Sequence, residues 1–78
     1  MWSEGIITSP TTGNRYKYWV KHYEEPSEAF GIDGGKISKL TIRKLNDGRD
    51  VVNYDRGWDV KPAGEVRAVY AMILEKYN

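Results

Sequence analysis

Apolar and polar residues alternate along the first two thirds of the chain, and the period then changes. In residues 15–23, Tyr16, Tyr18, Val20 and His22 fall on one side and Arg15, Lys17, Trp19, Lys21 and Tyr23 on the other. Side chains of a strand point alternately to its two faces, so this segment predicts a strand with one core face and one cationic, aromatic face. Residues 36–45 repeat the pattern, with Leu40 and Ile42 opposed to Lys39, Thr41 and Arg43, and residues 49–54 carry it once more. A short strand with Ile6 and Ile7 precedes them. Beyond Pro62, a residue common in the first turn of a helix, Val66, Val69, Tyr70, Ile73, Leu74 and Tyr77 recur at helical spacing. The expected architecture is α+β, in the order β-β-β-β-α. A four-stranded, mainly antiparallel sheet carries one C-terminal helix packed on the face that presents Tyr18, Val20, Leu40, Ile42, Val52 and Tyr54.

The turns refine this picture. Residues 9–14 are turn formers and predict a first hairpin, whose register is left open between Ile6 opposite Tyr18 and Ile7 opposite Tyr16. Asn46-Asp47-Gly48 fits a three-residue hairpin loop, which would pair Ile42 with Val52, Leu40 with Tyr54, Lys44 with Asp50 and Lys39 with Asp55. A two-residue turn would instead set Leu40 against Asp55, poorer chemistry for a core face. Residues 24–35 hold three glycines, a proline and four acids without periodicity, and read as a long loop pinned to the core by Phe30 and Ile32.

At 78 residues the chain is a single small domain, 1–78, near the lower limit for an unaided core. Three tryptophans, six tyrosines and a phenylalanine supply large buried areas in compensation. There is no cysteine, hence no disulfide and no thiolate metal site, which favours a cytoplasmic protein. Residues 68–74, the longest nearly apolar run, fall far short of the ~20 needed to span a bilayer, so no membrane segment is expected. The first residues lack the basic and apolar regions of a secretory signal. The formal net charge of +1 gives no global pull toward polyanions, so any electrostatic reading rests on local segregation.

Catalytic chemistry finds little support. The one histidine, His22, falls on the core face, and Ser3, Ser9, Ser27 and Ser38 have no recognisable base beside them. Residues 32–36 lead from glycines into a strand and lack the Lys-Ser/Thr of a phosphate-binding loop. The acids Glu24, Glu25, Glu28 and Asp33 miss the spacing of a calcium loop. No catalytic residue, metal ligand or cofactor is expected, and the chain reads as non-enzymatic.

The open face remains. Lys17, Trp19, Lys21, Lys39, Thr41 and Arg43 gather cations around an aromatic ring if the second and third strands are neighbours. Single-strand nucleic-acid binders stack bases on such rings and meet phosphates with such cations. The same residues also serve solubility on an open sheet face, and Asn53 and Asp55 dilute the field. Trp19, Tyr23, Leu45 and Val51 offer a third reading, a protein contact or homodimer patch. The reading is therefore an interaction or accessory protein of unknown partner, with nucleic acid as the alternative.

Residues 16–27, Tyr-Lys-Tyr-Trp-Val-Lys-His-Tyr-Glu-Glu-Pro-Ser, and residues 31–43, Gly-Ile-Asp-Gly-Gly-Lys-Ile-Ser-Lys-Leu-Thr-Ile-Arg, together resemble a family of small uncharacterised proteins from Gram-positive bacteria and their phages. The resemblance implies a cytoplasmic, prophage-linked accessory protein. It transfers no catalytic or binding residue.

Overall fold

The computed structural model describes all 78 residues. Strands β1 (Trp2–Thr8), β2 (Arg15–His22), β3 (Ile37–Lys44), β4 (Arg49–Asp55) and β5 (Trp58–Val60) form one sheet in the order β1-β2-β3-β4-β5, and helix α1 (Val66–Tyr77) follows. Every neighbouring pair is antiparallel. The expected α+β meander with a C-terminal helix is therefore the fold. Val66, Val69 and Ile73 of α1 join Tyr16, Tyr18, Val20, Leu40, Ile42, Val52 and Tyr54 in one buried cluster, with Tyr70, Leu74 and Tyr77 packed at its margin. Between the bulges, Tyr16, Tyr18 and Val20 of β2, Leu40 and Ile42 of β3, and Val52 and Tyr54 of β4 face the helix, as alternation predicts.

The sheet has five strands where four were expected. Trp58, Asp59 and Val60 form a short edge strand, and the Trp58 ring stands edge-on to Tyr54, centroids 5.0 Å apart, and to Tyr70 at 5.6 Å. Three residues are too few for alternation to be distinctive, and it is this aromatic contact that fastens β5. Pro62 is not in the helix. The chain turns at Gly64, with φ of 58°, and α1 begins at Val66.

The first hairpin takes the register with Ile7 opposite Tyr16, which sets Gly5 opposite Tyr18. The turn between β3 and β4 differs from expectation in an instructive way. Lys44 faces Arg49 and Arg43 faces Asp50, so four residues, 45–48, make the turn instead of three. Gly48 takes φ of 69°, open to glycine without strain, and its N–H donates to the Lys44 carbonyl at 2.9 Å. Val51 is then an extra residue. This bulge restores the expected pairs Ile42–Val52, Leu40–Tyr54 and Lys39–Asp55, while the expected partner of Asp50 changes from Lys44 to Arg43.

Residues 24–35 are a loop containing a short 3-10 turn, Ile32–Gly34. Ile32 is fully buried and pins it, but Phe30 is 52% exposed, so only one of the two expected anchors holds. The loop is held at Phe30 by its backbone: the Tyr54 hydroxyl donates to the Phe30 carbonyl at 2.9 Å. Gly31 N donates to Ser27 O and Ser27 N to Gly35 O, closing the loop on itself.

Candidate functional site

Register alone assembles the open face. Lys17 stands opposite Arg43, Trp19 opposite Thr41, and Lys21 opposite Lys39, so all six predicted surface residues lie together across β2 and β3. Two like-charged pairs thus face each other directly, an arrangement that costs stability unless something compensates. Partial compensation is visible. The Trp19 ring carries Lys17 Nζ at 5.2 Å and the Arg43 guanidinium at 5.0 Å from its centroid. Arg43 Nε also donates to Asp50 Oδ1 at 2.8 Å, and Lys39 Nζ lies 3.6 Å from Asp55. Trp19 is consequently half-buried beneath its cations, not wholly solvated as its position on an open face suggests.

Sequence reasoning missed the contribution of β1. Trp2, Glu4 and Ile6 pair with Lys21, Trp19 and Lys17, which extends the face by one strand. Trp2 is 57% exposed and Ile6 50%. Their alternation around Glu4 was the available signal. Acids therefore flank the cations, Glu4 on β1 and Asp50 and Asp55 on β4, and leave a positive stripe along β2 and β3.

The proposed contact patch of Trp19, Tyr23, Leu45 and Val51 is not contiguous. Tyr23 N donates to the Lys36 carbonyl at one end of the sheet, and Leu45 N donates to the Arg15 carbonyl at the other. Val51, displaced by the bulge, packs against the core.

A second irregularity shapes the end of the sheet near Tyr23. Lys21 faces Lys39 but His22 faces Ile37, so Ser38 is an extra residue in β3. Bulges redirect side chains, and this one turns Ser38 out of the core. Lys21, Lys36, Lys39 and Arg56 surround it in a pocket of about 270 Å³, with the rings of Tyr23 and Phe30 at its sides. The Lys21 ammonium, as donor and as charge, draws the Tyr23 phenol below its ordinary pKa. Arg56 sits at φ of 55°, and its N–H donates to the Ser38 carbonyl at 3.0 Å. Nothing in the alternation pattern announces this pocket, because a bulge leaves no signature in a single sequence.

Ser3 has a base beside it that spacing did not reveal, the imidazole of His22. Ser3 Oγ lies 2.9 Å from His22 Nε2, across the β1–β2 pair. The ring packs on Tyr77 at 4.8 Å, and burial together with the charged N-terminus holds its pKa below the ordinary value. No carboxylate bonds the imidazole to fix its tautomer, the role of the third member in a serine–histidine triad. The pair ties β1 and β2 together beneath the helix end.

Carboxylate chemistry is likewise absorbed by structure. Glu65, the residue before α1, accepts from Tyr16 Oη at 2.6 Å, from Asn14 Nδ2 at 2.8 Å and from the Thr12 hydroxyl. Those bonds, from Thr12, Tyr16 and Asn14, hold its carboxyl well below the usual range, at about 2. No group of three or more histidine, cysteine or acidic residues is placed to hold a metal ion, and no helix is long and apolar enough to cross a membrane.

The surface carries a cationic stripe around one indole, an apolar margin on β1, and a pocket at the bulged end. No curated protein and no solved structure matches the chain. A family model described as a domain of unknown function, DUF7678, matches residues 1–78, and the chain belongs to that family.

Proposed function

We propose that the protein is a non-enzymatic interaction module that binds single-stranded nucleic acid along the β2–β3 stripe. The observation that supports this reading is the double like-charged pairing, Lys17 with Arg43 and Lys21 with Lys39, on either side of Trp19. Solubility would be served as well by alternating signs, without the repulsion. An anionic chain relieves the repulsion at both pairs. With a rise of about 3.3–3.4 Å per strand residue, the two pairs are roughly 13 Å apart, enough for a few phosphates of an extended strand. Bases would stack on Trp19 once Lys17 and Arg43 turn to phosphate. The resemblance to small proteins of Gram-positive bacteria and their phages favours a cytoplasmic, phage-linked accessory role, with no cofactor.

Trp2 and Ile6 favour a second reading, a protein contact through β1, since exposed apolar residues on an edge strand suit a partner surface. A two-fold homodimer through the stripe itself is disfavoured, because an isologous contact would set the cations of one copy against those of the next.

Anisotropy titration of fluorophore-labelled, mixed-sequence single strands with the protein tests the first reading. Binding should weaken steeply with salt and fall on Trp19→Ala and Arg43→Ala. Absence of binding at low salt overturns it. Sedimentation across a wide concentration range tests self-association through β1: a dimer weakened by Trp2→Ala supports it, and a strict monomer excludes it.

A further inference from the structure

We infer that the pocket at the bulged end of the sheet is a binding site for a phosphate group carried on a small organic body such as a nucleotide. Ser38, Lys21, Lys36, Lys39 and Arg56 are its ligating residues. Three independent features point there.

The first is an orphan. Ser38 is only 6% exposed, and its Oγ, wholly removed from solvent, meets no hydrogen-bond partner of acceptable geometry. The one nearby acceptor is the Tyr23 phenol, which a weak donation from Ser38 helps to draw below its ordinary pKa, at a geometry short of a full hydrogen bond. Buried hydroxyls are almost always satisfied, so one that lines a pocket and lacks a partner marks the place of a missing acceptor.

The second feature is uncompensated charge. Lys21 and Lys36 have no carboxylate within ion-pair distance, and Lys39 and Arg56 share the single Asp55 at 3.6 and 3.7 Å. Glu24, Glu25 and Glu28 belong to the adjoining loop, yet none lines the pocket. Four cations against one shared carboxylate exceed what a monoanionic carboxylate would use. A phosphate monoester brings about two negative charges and three acceptor oxygens, enough for the serine hydroxyl and several ammonium or guanidinium donors at once.

The third feature is the setting. Arg56 holds a left-handed backbone conformation that a glycine would take freely, and Ser38 exists as a pocket residue only because β3 bulges. Strain and bulges concentrate at binding sites. Phe30, exposed and apolar, stands at the side of the pocket with the Arg56 guanidinium 5.8 Å from its ring centroid. Sites for drug-sized ligands measure roughly 300–1,000 Å³. A pocket of about 270 Å³ accommodates the phosphate and the first part of its carrier, and the remainder projects past Phe30 and Tyr23. The site shares Lys21 and Lys39 with the sheet stripe, whereas Ser38, Lys36 and Arg56 belong to it alone, so it stands whether or not the stripe binds a strand.

The test is a chemical-shift titration of the labelled protein at low salt with adenosine monophosphate, adenosine, inorganic phosphate, and one oligonucleotide with and without a 5′-phosphate. Adenosine monophosphate should saturate and move the amides of Lys36, Ser38 and Arg56, inorganic phosphate should bind more weakly at the same amides, and adenosine should leave them in place. Lys36→Ala, which removes an exposed side chain, and Ser38→Ala should each weaken adenosine monophosphate about tenfold, the loss of one charge-assisted contact. Circular dichroism confirms that both variants are folded. If the 5′-phosphorylated oligonucleotide binds tighter than both its unphosphorylated form and the mononucleotide, the source is a strand end; if the mononucleotide binds at least as tightly, the source is a free nucleotide. Either result retains the phosphate site. Adenosine binding as well as its monophosphate overturns it, as do folded Lys36→Ala and Ser38→Ala variants that both bind like the parent. Trp19→Ala should leave the monophosphate affinity unchanged, so failure of the stripe and failure of the pocket are read separately.

Discussion

Gly5 lies directly beneath the phenol of Tyr18, so close that a Cβ added at Gly5 would fall 2.6 Å from the Tyr18 hydroxyl oxygen. The absence of a side chain lets the Tyr18 ring cross β1 and meet Tyr77, hydroxyl to hydroxyl, at 2.9 Å. One glycine thus connects the edge strand to the last turn of the helix. Gly5→Ala should displace the ring, break the hydroxyl contact and destabilise the fold by about 1–3 kcal/mol, the usual range for overpacking a filled site. Tyr18→Phe should cost only about 1 kcal/mol, the net worth of one hydrogen bond. Urea denaturation of both variants checks the order. Equal losses would mean that the bond, and not the ring position, is what Gly5 protects.

Acid stability should fall in two steps. Folding lowers the His22 pKa below 6.5, so the unfolded chain takes up that proton first, and stability begins to drop as pH falls below 6.5. Folding also lowers the Glu65 carboxyl from 4.5 to about 2. Its contribution is complete above about pH 4.5 and is lost as pH falls from there toward 2. Glu65→Gln should lower Tm at neutral pH, because the hairpin donors Thr12, Tyr16 and Asn14 lose their charged acceptor, and it should flatten the curve below pH 4.5 while leaving the His22 step intact. Melting curves from pH 7 to pH 2 measure both. A Glu65→Gln variant with the same acid slope as the parent would assign the lower step elsewhere.

Sidedness was readable from sequence because the sheet is wet on one face only, and a period of two then leaves little freedom: Tyr16, Tyr18, Val20, Leu40, Ile42, Val52 and Tyr54 are all buried. The same rule placed Lys17, Trp19, Lys21, Lys39, Thr41 and Arg43 together. Bulges lie outside such reasoning. The one at Val51 cancelled a wrong loop length, which is why the inner pairs came out right and the Asp50 partner wrong. The one at Ser38 created a pocket that alternation treats as continuous strand. Trp58 escaped for a different reason: its strand is fixed by contacts with Tyr54 of β4 and Tyr70 of α1, side chains on other elements that alternation within three residues does not register.

Lys21 faces Lys39 with no carboxylate of its own, so replacing it should cost the fold nothing. Lys21→Thr should leave stability unchanged or raise it by a few tenths of a kcal/mol, since direct cross-strand repulsion is removed. On the proposed binding reading it should also make the dependence of log affinity on log salt shallower by about one, the signature of one lost phosphate contact. Stability and binding thus move independently, or in opposite senses. A variant that loses stability outright would show that Lys21 serves the fold, and the stripe would lose its main support.

Ser38 presents the same opposition in sharper form. A hydroxyl buried without a partner forfeits its hydration and gains nothing in exchange, a deficit on the order of 1–3 kcal/mol. Ser38→Ala keeps the volume of the bulge nearly unchanged and removes the deficit, so the free protein should melt higher, by about 4–8 °C per kcal/mol recovered in a domain of this size. The parent should recover part of that difference when adenosine monophosphate is present, because a ligand oxygen satisfies the hydroxyl and ligand binding stabilises the folded state by mass action. Ser38→Ala should gain much less from the same ligand. Thermal melts of the two proteins, each with and without the nucleotide, separate the terms. Should Ser38→Ala melt lower than the parent without ligand, the hydroxyl already has a partner within the fold, and its place in the pocket is structural.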